Sequence, residues 1–189
     1  TNYNSLNFFS NDTIPTGSAL LYPNIDDRYD LPDSFAISFW INPRYSRRQK
    51  PDAQGNITRD YPAGTVLHIS SSIAVSIVSG SSVNELGIED EFKVLLQLSQ
   101  SADIPPSKVN LNNLKGPYPR DLIFTSSHVL KKNHWHNVFI TWSSSANNSS
   151  GSLFIDDKET SFHIPSASVS ANKELSPSFM SIGNYYDGI

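Results

Sequence analysis

The chain has 189 residues, 38% of them hydrophobic and 17% charged, enough for one globular domain with a core of its own. Its formal net charge of −4 supplies no basic excess to displace counterions from a phosphate backbone, which sets aside nucleic acid as a partner. No apolar run approaches the roughly 20 residues of a membrane-spanning helix, so no membrane insertion is expected, and the absence of cysteine removes disulfides, thiol catalysis and thiolate metal sites together.

Short alternating segments recur along the whole chain, whereas no stretch of a dozen residues holds apolar positions at helical spacing without Pro, Gly or a β-branched run intervening. Strands are expected at Leu6–Phe9, Ala19–Tyr22, Phe35–Ile41, Thr65–Ser70, Ile73–Val78, Phe92–Leu98, Leu122–Thr125, Trp135–Trp142, Leu153–Ile155 and Phe179–Ile182. So many short strands imply an all-β sandwich or barrel. In the third of them Phe35, Ile37, Phe39 and Ile41 alternate with Ala36, Ser38 and Trp40; with both sides largely apolar, it reads as a central strand covered on two faces. Trp135–Trp142 and Leu153–Ile155 read as a hairpin, with the polar stretch Ser143–Gly151 as a long tip.

Two insertions interrupt the rhythm. Residues Asn42–Gly64 hold Pro43, Pro51 and Gly55 beside the basic cluster Arg44, Arg47, Arg48 and Lys50, which reads as a solvated loop. Residues Ser99–Arg120 carry Pro105, Pro106, Pro117 and Pro119. Neither can be a central strand, because proline removes ladder donors, and loops this long in a compact domain tend to carry partner contacts. Four glycosylation triplets begin at Asn11, Asn56, Asn147 and Asn148, all in polar, loop-like contexts. They permit a surface-exposed or secreted location. The polar start Thr1-Asn2-Tyr3-Asn4 shows no signal-peptide pattern, as expected of a processed form, an excised domain or an intracellular protein.

Four segments, in order, carry a resemblance: Phe35-Ala36-Ile37-Ser38-Phe39-Trp40-Ile41-Asn42-Pro43, Trp135-His136-Asn137-Val138-Phe139-Ile140-Thr141-Trp142, Gly151-Ser152-Leu153-Phe154-Ile155-Asp156-Asp157-Lys158 and Met180-Ser181-Ile182-Gly183-Asn184. Together they resemble the concanavalin A-like lectin/glucanase superfamily, in particular its laminin G-like and pentraxin-like members. The resemblance implies a two-sheet antiparallel jelly-roll sandwich in which Trp40, Trp135 and Trp142 are core or sheet-edge anchors, and His136 is a partly buried histidine satisfied by backbone. Asp157 stands where such domains usually have glycine. The usual closing strand would continue beyond Tyr185-Tyr186-Asp187-Gly188-Ile189, so residues 1–189 are expected to form a single laminin G-like domain within a longer polypeptide, its last strand supplied from outside.

Catalysis by such a fold needs paired carboxylates flanking a glycosidic bond. The nearest candidates, Glu85, Glu89, Asp90 and Glu91, put only Glu89 and Glu91 on one face and read as an acidic turn before the strand at Phe92, so no enzyme is expected. His134 and His136 stand two positions apart at a strand entrance, with Trp135 between them, and no third zinc ligand can be named. Calcium is the one cofactor the resemblance allows, through the hard oxygens of Asp26, Asp27 and Asp30. The expected function is a non-catalytic recognition module of a larger extracellular or surface-exposed protein, on a cell surface or virion. It would bind glycan or a protein partner through rim loops, with Tyr45, Arg47, Tyr118, Arg120, Tyr185 and Tyr186 as contacts, since aromatic faces beside guanidinium donors suit sugars. The alternative is a structural β-sandwich of a virion, fibre or other assembly that packs against neighbouring subunits and takes no free ligand.

Overall fold

The computed structural model describes residues 19–23, 25, 34–43, 64–80, 91–106, 109, 122–144, 148–165 and 179–183. These form eleven strands: β1 Leu20–Pro23, β2 Ser34–Ile41, β3 Gly64–Ile69, β4 Ile73–Ser79, β5 Glu91–Leu98, β6 Ile123–Thr125, β7 Leu130–Lys131, β8 His136–Ser144, β9 Asn148–Ile155, β10 Lys158–Pro165 and β11 Phe179–Ile182. One short 3-10 turn, Ser99–Asp103, follows β5. All pairings are antiparallel. A larger sheet runs β1-β11-β3-β4-β5-β6, with β7 also on β5, and a smaller one runs β10-β9-β8-β2.

The two sheets pack face to face as a β-sandwich. Alternation along β5 turns Phe92, Val94, Leu96 and Leu98 inward, where with Ile73 and Val75 of β4 they meet Val138, Ile140 and Trp142 of β8 and Leu153 and Ile155 of β9. Phe124 of β6 reaches Trp142 across the gap, with ring centroids 6.2 Å apart. Glycine is required at two points on the rim of this core. Gly183, after β11, holds φ of 91° while its N–H bonds the carbonyl of Val66 at a register shift in β3. A Cβ on Gly80 would lie 2.7 Å from the carbonyl oxygen of Glu91.

Three expectations change. The strand covered on both faces is β5, with β4 beside it, and not β2. The second face of the larger sheet, built by Ala74, Ser76, Leu95 and Gln97, is fully buried because the start of the second insertion folds over it: Gln97 Nε2 donates to the carbonyls of Ser101 and Ile104 at 2.6 and 3.0 Å, and Val109 packs on Val78, Leu95 and Ile123. That part of the insertion is packing, not a contact loop. β2, by contrast, alternates exposed and half-buried along its whole length and among the described residues pairs with β8 alone.

The hairpin tip is also far shorter than its composition suggests. β8 and β9 stay paired from Val138↔Ile155 to Ser144↔Ser149, and β10 pairs the far side of β9 down to Pro165↔Asn148. Ladder hydrogen bonds use only backbone groups, so flanking strands on both sides impose extended structure on a serine-rich segment of low intrinsic preference. The triplet beginning at Asn148 therefore starts on a strand, not in a loop. Finally, Trp142 is 2% exposed and fills the core, but Trp40 and Trp135, at 66% and 45% exposure, are not core residues.

Candidate functional site

The outward face of the smaller sheet carries the exposed indole of Trp40 and rows of hydroxyl side chains. Because side chains alternate along a strand, the positions between the core residues of β2, β8, β9 and β10 line up in rows. One row is Ala36, Thr141, Ser152 and Ser161; the next is Ser38, Phe139, Phe154 and Glu159; Trp40 lies opposite Asn137 beyond that. With strands about 4.8 Å apart, a row of four spans roughly 14 Å. Phe139 and Phe154 pair at 5.9 Å between ring centroids and form a low ridge. Beside it the small side chains of Thr141, Ser143, Ser150, Ser152 and Ser161 leave an open trough of about 400 Å³.

Glu159 belongs to the ridge row but reaches two of the serines that line the trough. Its Oε1 accepts hydrogen bonds from Ser152 Oγ at 2.6 Å and Ser161 Oγ at 2.7 Å. Those two bonds hold the carboxyl below the usual glutamate range, so this exposed acid is a fixed anion. At the opposite corner of the face stands Trp40. Asn133 N–H bonds the Pro43 carbonyl at 2.8 Å, continuing the β2–β8 alignment past Ile41↔His136, which keeps Trp135 at the same end of the sheet as Trp40.

Two histidine–carboxylate pairs lie elsewhere, and both are structural. Buried His136 faces Asp156 Oδ2 through Nδ1 at 2.9 Å, while its Nε2 lies 2.8 Å from the Lys131 backbone nitrogen and 3.2 Å from the Lys131 carbonyl oxygen. Satisfaction comes from backbone on one ring nitrogen and from a carboxylate on the other. Burial alone would raise the Asp156 carboxyl, but hydrogen bonds from His136 and Asn137 N–H, with the charges of His136 and Lys158, outweigh it and hold the group below its ordinary value. The left-handed residue of this β9–β10 turn is Asp156, with φ of 57°, and not Asp157.

The second pair sits where the β3–β4 turn meets the 3-10 turn. Asp103 accepts Ser71 N–H at 2.7 Å, Ser71 Oγ at 2.6 Å and Ser70 Oγ at 3.2 Å, and His68 Nε2 lies 3.6 Å away. Serine, histidine and aspartate are together, yet in an order that activates nothing: a nucleophilic relay needs histidine between the other two, and here the carboxylate is in the middle. Partial burial pushes the Asp103 carboxyl up, but His68 and the three serine donors pull it down further, to about 2.

The contacts expected from sequence, Tyr45, Arg47, Tyr118, Arg120, Tyr185 and Tyr186, and the calcium set Asp26, Asp27 and Asp30, all lie outside the described residues, as do Glu85, Glu89 and Asp90. Glu91 opens β5 opposite Lys131, in a strand and not a turn. No group of three or more His, Asp or Glu able to hold a metal occurs among the described residues. The residues that sequence reasoning passed over are Trp40 and Glu159. Trp40 announces itself by parity, standing out of step with Phe35, Ile37, Phe39 and Ile41. Glu159 follows only once Lys158–Pro165 is recognised as a strand. Compared with known proteins, the chain matches no family model and no curated relative.

Proposed function

We propose that this chain is a non-catalytic recognition module that binds carbohydrate on the outward face of its smaller sheet. The observation that carries the reading is Trp40, an indole 66% exposed on an ordered strand. Large aromatics left in water on a rigid surface are the anchors of binding sites, and an indole offers a flat apolar face to the C–H side of a sugar ring. The hydroxyl rows and the braced carboxylate of Glu159 supply the polar complement, since ligand sites combine aromatic walls with a few placed hydrogen-bonding groups. In this reading the sandwich is a jelly roll of the concanavalin A-like kind, the architecture its four motifs resemble, exposed on a cell surface or virion. The binding surface is the sheet face in place of rim loops. The calcium reading of Asp26, Asp27 and Asp30 rests on residues outside those described and is independent of this face.

A printed array of neutral oligosaccharides, probed with and without calcium, tests this. The wild-type chain is expected to bind at least one glycan, and Trp40→Ala to weaken that binding at least tenfold with an unchanged melting temperature, because an exposed site carries little fold stability. Binding that survives intact in the Trp40→Ala chain, or no signal from folded wild type on any glycan, overturns the proposal. One observation favours the assembly reading instead: Leu21 and Tyr22 of β1 are also exposed, at 45% and 40%. Under that reading the wild type self-associates and takes no sugar.

A further inference from the structure

Resting on the carbohydrate reading, we infer that Glu159 is a specificity-determining residue, which selects uncharged saccharides and turns away those bearing carboxylate or sulfate groups. Of the described strand side chains on the outward face, Glu159 is the one that carries charge; the others are Ser, Thr, Ala, Asn, Phe and Trp. Asp156, at the end of the same rows, is occupied by His136 and by the N–H of Asn137. No lysine or arginine stands in these rows to offset the glutamate.

The bracing turns a common surface acid into a filter. A free glutamate on a strand swings through several rotamers and moves aside for an anion. Glu159 is tied by two serine hydroxyls to a single oxygen, Oε1, and both serines line the trough. Its second oxygen, Oε2, makes no hydrogen bond among the described residues and is left as an acceptor beside the two serines that line the trough. An uncharged sugar satisfies it with hydroxyl donors, whereas a uronate or sulfated ring brings a like charge to within a few ångströms and has no proton to give. Discrimination of this kind works by repulsion built against the wrong ligand. For charges a few ångströms apart at a protein surface it is worth about a tenfold difference in affinity, and it weakens as salt is added.

The experiment uses the whole chain with glucan, mannan and galactan hexasaccharides, each prepared with a hydroxyl or a carboxylate at the ring's exocyclic carbon, and measures wild type and Glu159→Gln side by side. Glutamine keeps the length and one acceptor while removing the charge. Wild type is expected to prefer the uncharged form of whichever glycan it binds by about tenfold at low salt, and Glu159→Gln to shrink that preference to about twofold by gaining affinity for the carboxylated form. A preference that persists undiminished in Glu159→Gln, or no preference in wild type, overturns the inference and leaves the binding face standing. No binding of either form by folded wild type defeats the carbohydrate reading itself.

Discussion

Replacing Trp142 by alanine is expected to lower the unfolding free energy by about 3–5 kcal/mol, the range for removing a large aromatic from a packed core. Trp142 lies on the inward face of β8 at 2% exposure, opposite Phe35 of β2 and Gly151 of β9. Gly151 has no side chain to collapse into the space the indole would leave. The ring also meets Phe124 of the other sheet, so the substitution removes material from the seam between layers, where relaxation would require a whole sheet to shift. Denaturant titration of the two chains, with equal slopes, measures the loss; a change under about 1 kcal/mol would show that the seam does not depend on this indole. Trp40→Ala serves as the control, with an expected change within about 0.5 kcal/mol.

The second large effect is expected at Asp103. Its carboxylate holds the β3–β4 turn to the 3-10 turn through three serine donors, one of them the backbone N–H of Ser71, a residue 5% exposed. Asp103→Ala leaves that N–H without its acceptor and is expected to cost about 2–3 kcal/mol. The same contacts give stability a dependence on acid. The folded value of about 2 lies below the ordinary 3.8, so the unfolded chain binds the proton more readily. The contribution is complete above 3.8 and disappears as pH falls through about 2. Allowing for the group's partial exposure, it amounts to about 1 kcal/mol. Unfolding titrations between those limits should show wild type losing this increment while Asp103→Ala, once corrected for its lower baseline, does not; parallel pH profiles would sink the clamp.

The strands that can be read from the sequence are those whose own side chains enforce a period of two. Phe35–Ile41, Trp135–Trp142 and Phe92–Leu98 each place a large apolar residue at every second position, and β2, β8 and β5 follow within a residue or two. Segment 148–152 could not be read that way, since Asn, Ser and Gly carry turn chemistry and extended structure reaches them from β8 and β10. Lys158–Pro165 does alternate, with Thr160, Phe162 and Ile164 between Glu159, Ser161 and His163, but its partner strand is that same serine-rich stretch, so nothing in the local pattern marked it as half of a pair. The proposed binding face was hidden for a related reason. It is assembled from single residues of four strands, spaced far apart in the chain and joined only by register, whereas loop acids and loop tyrosines stand out in a linear reading.

The covering of β4 and β5 on both faces and the openness of the smaller sheet's outward face leave the molecule under unequal constraint. On β4 and β5 the buried residues Ile73, Ala74, Val75, Ser76, Val94, Leu95, Leu96, Gln97 and Leu98 have neighbours above or below, so a substitution there is paid in stability. On the outward rows of β8 and β9, positions such as Ser143 and Ser150 are exposed and could exchange without disturbing the ladder beneath. On the proposed reading, recognition is therefore free to drift while the frame stays fixed, and a handful of changes on that face would suffice to retune what it holds.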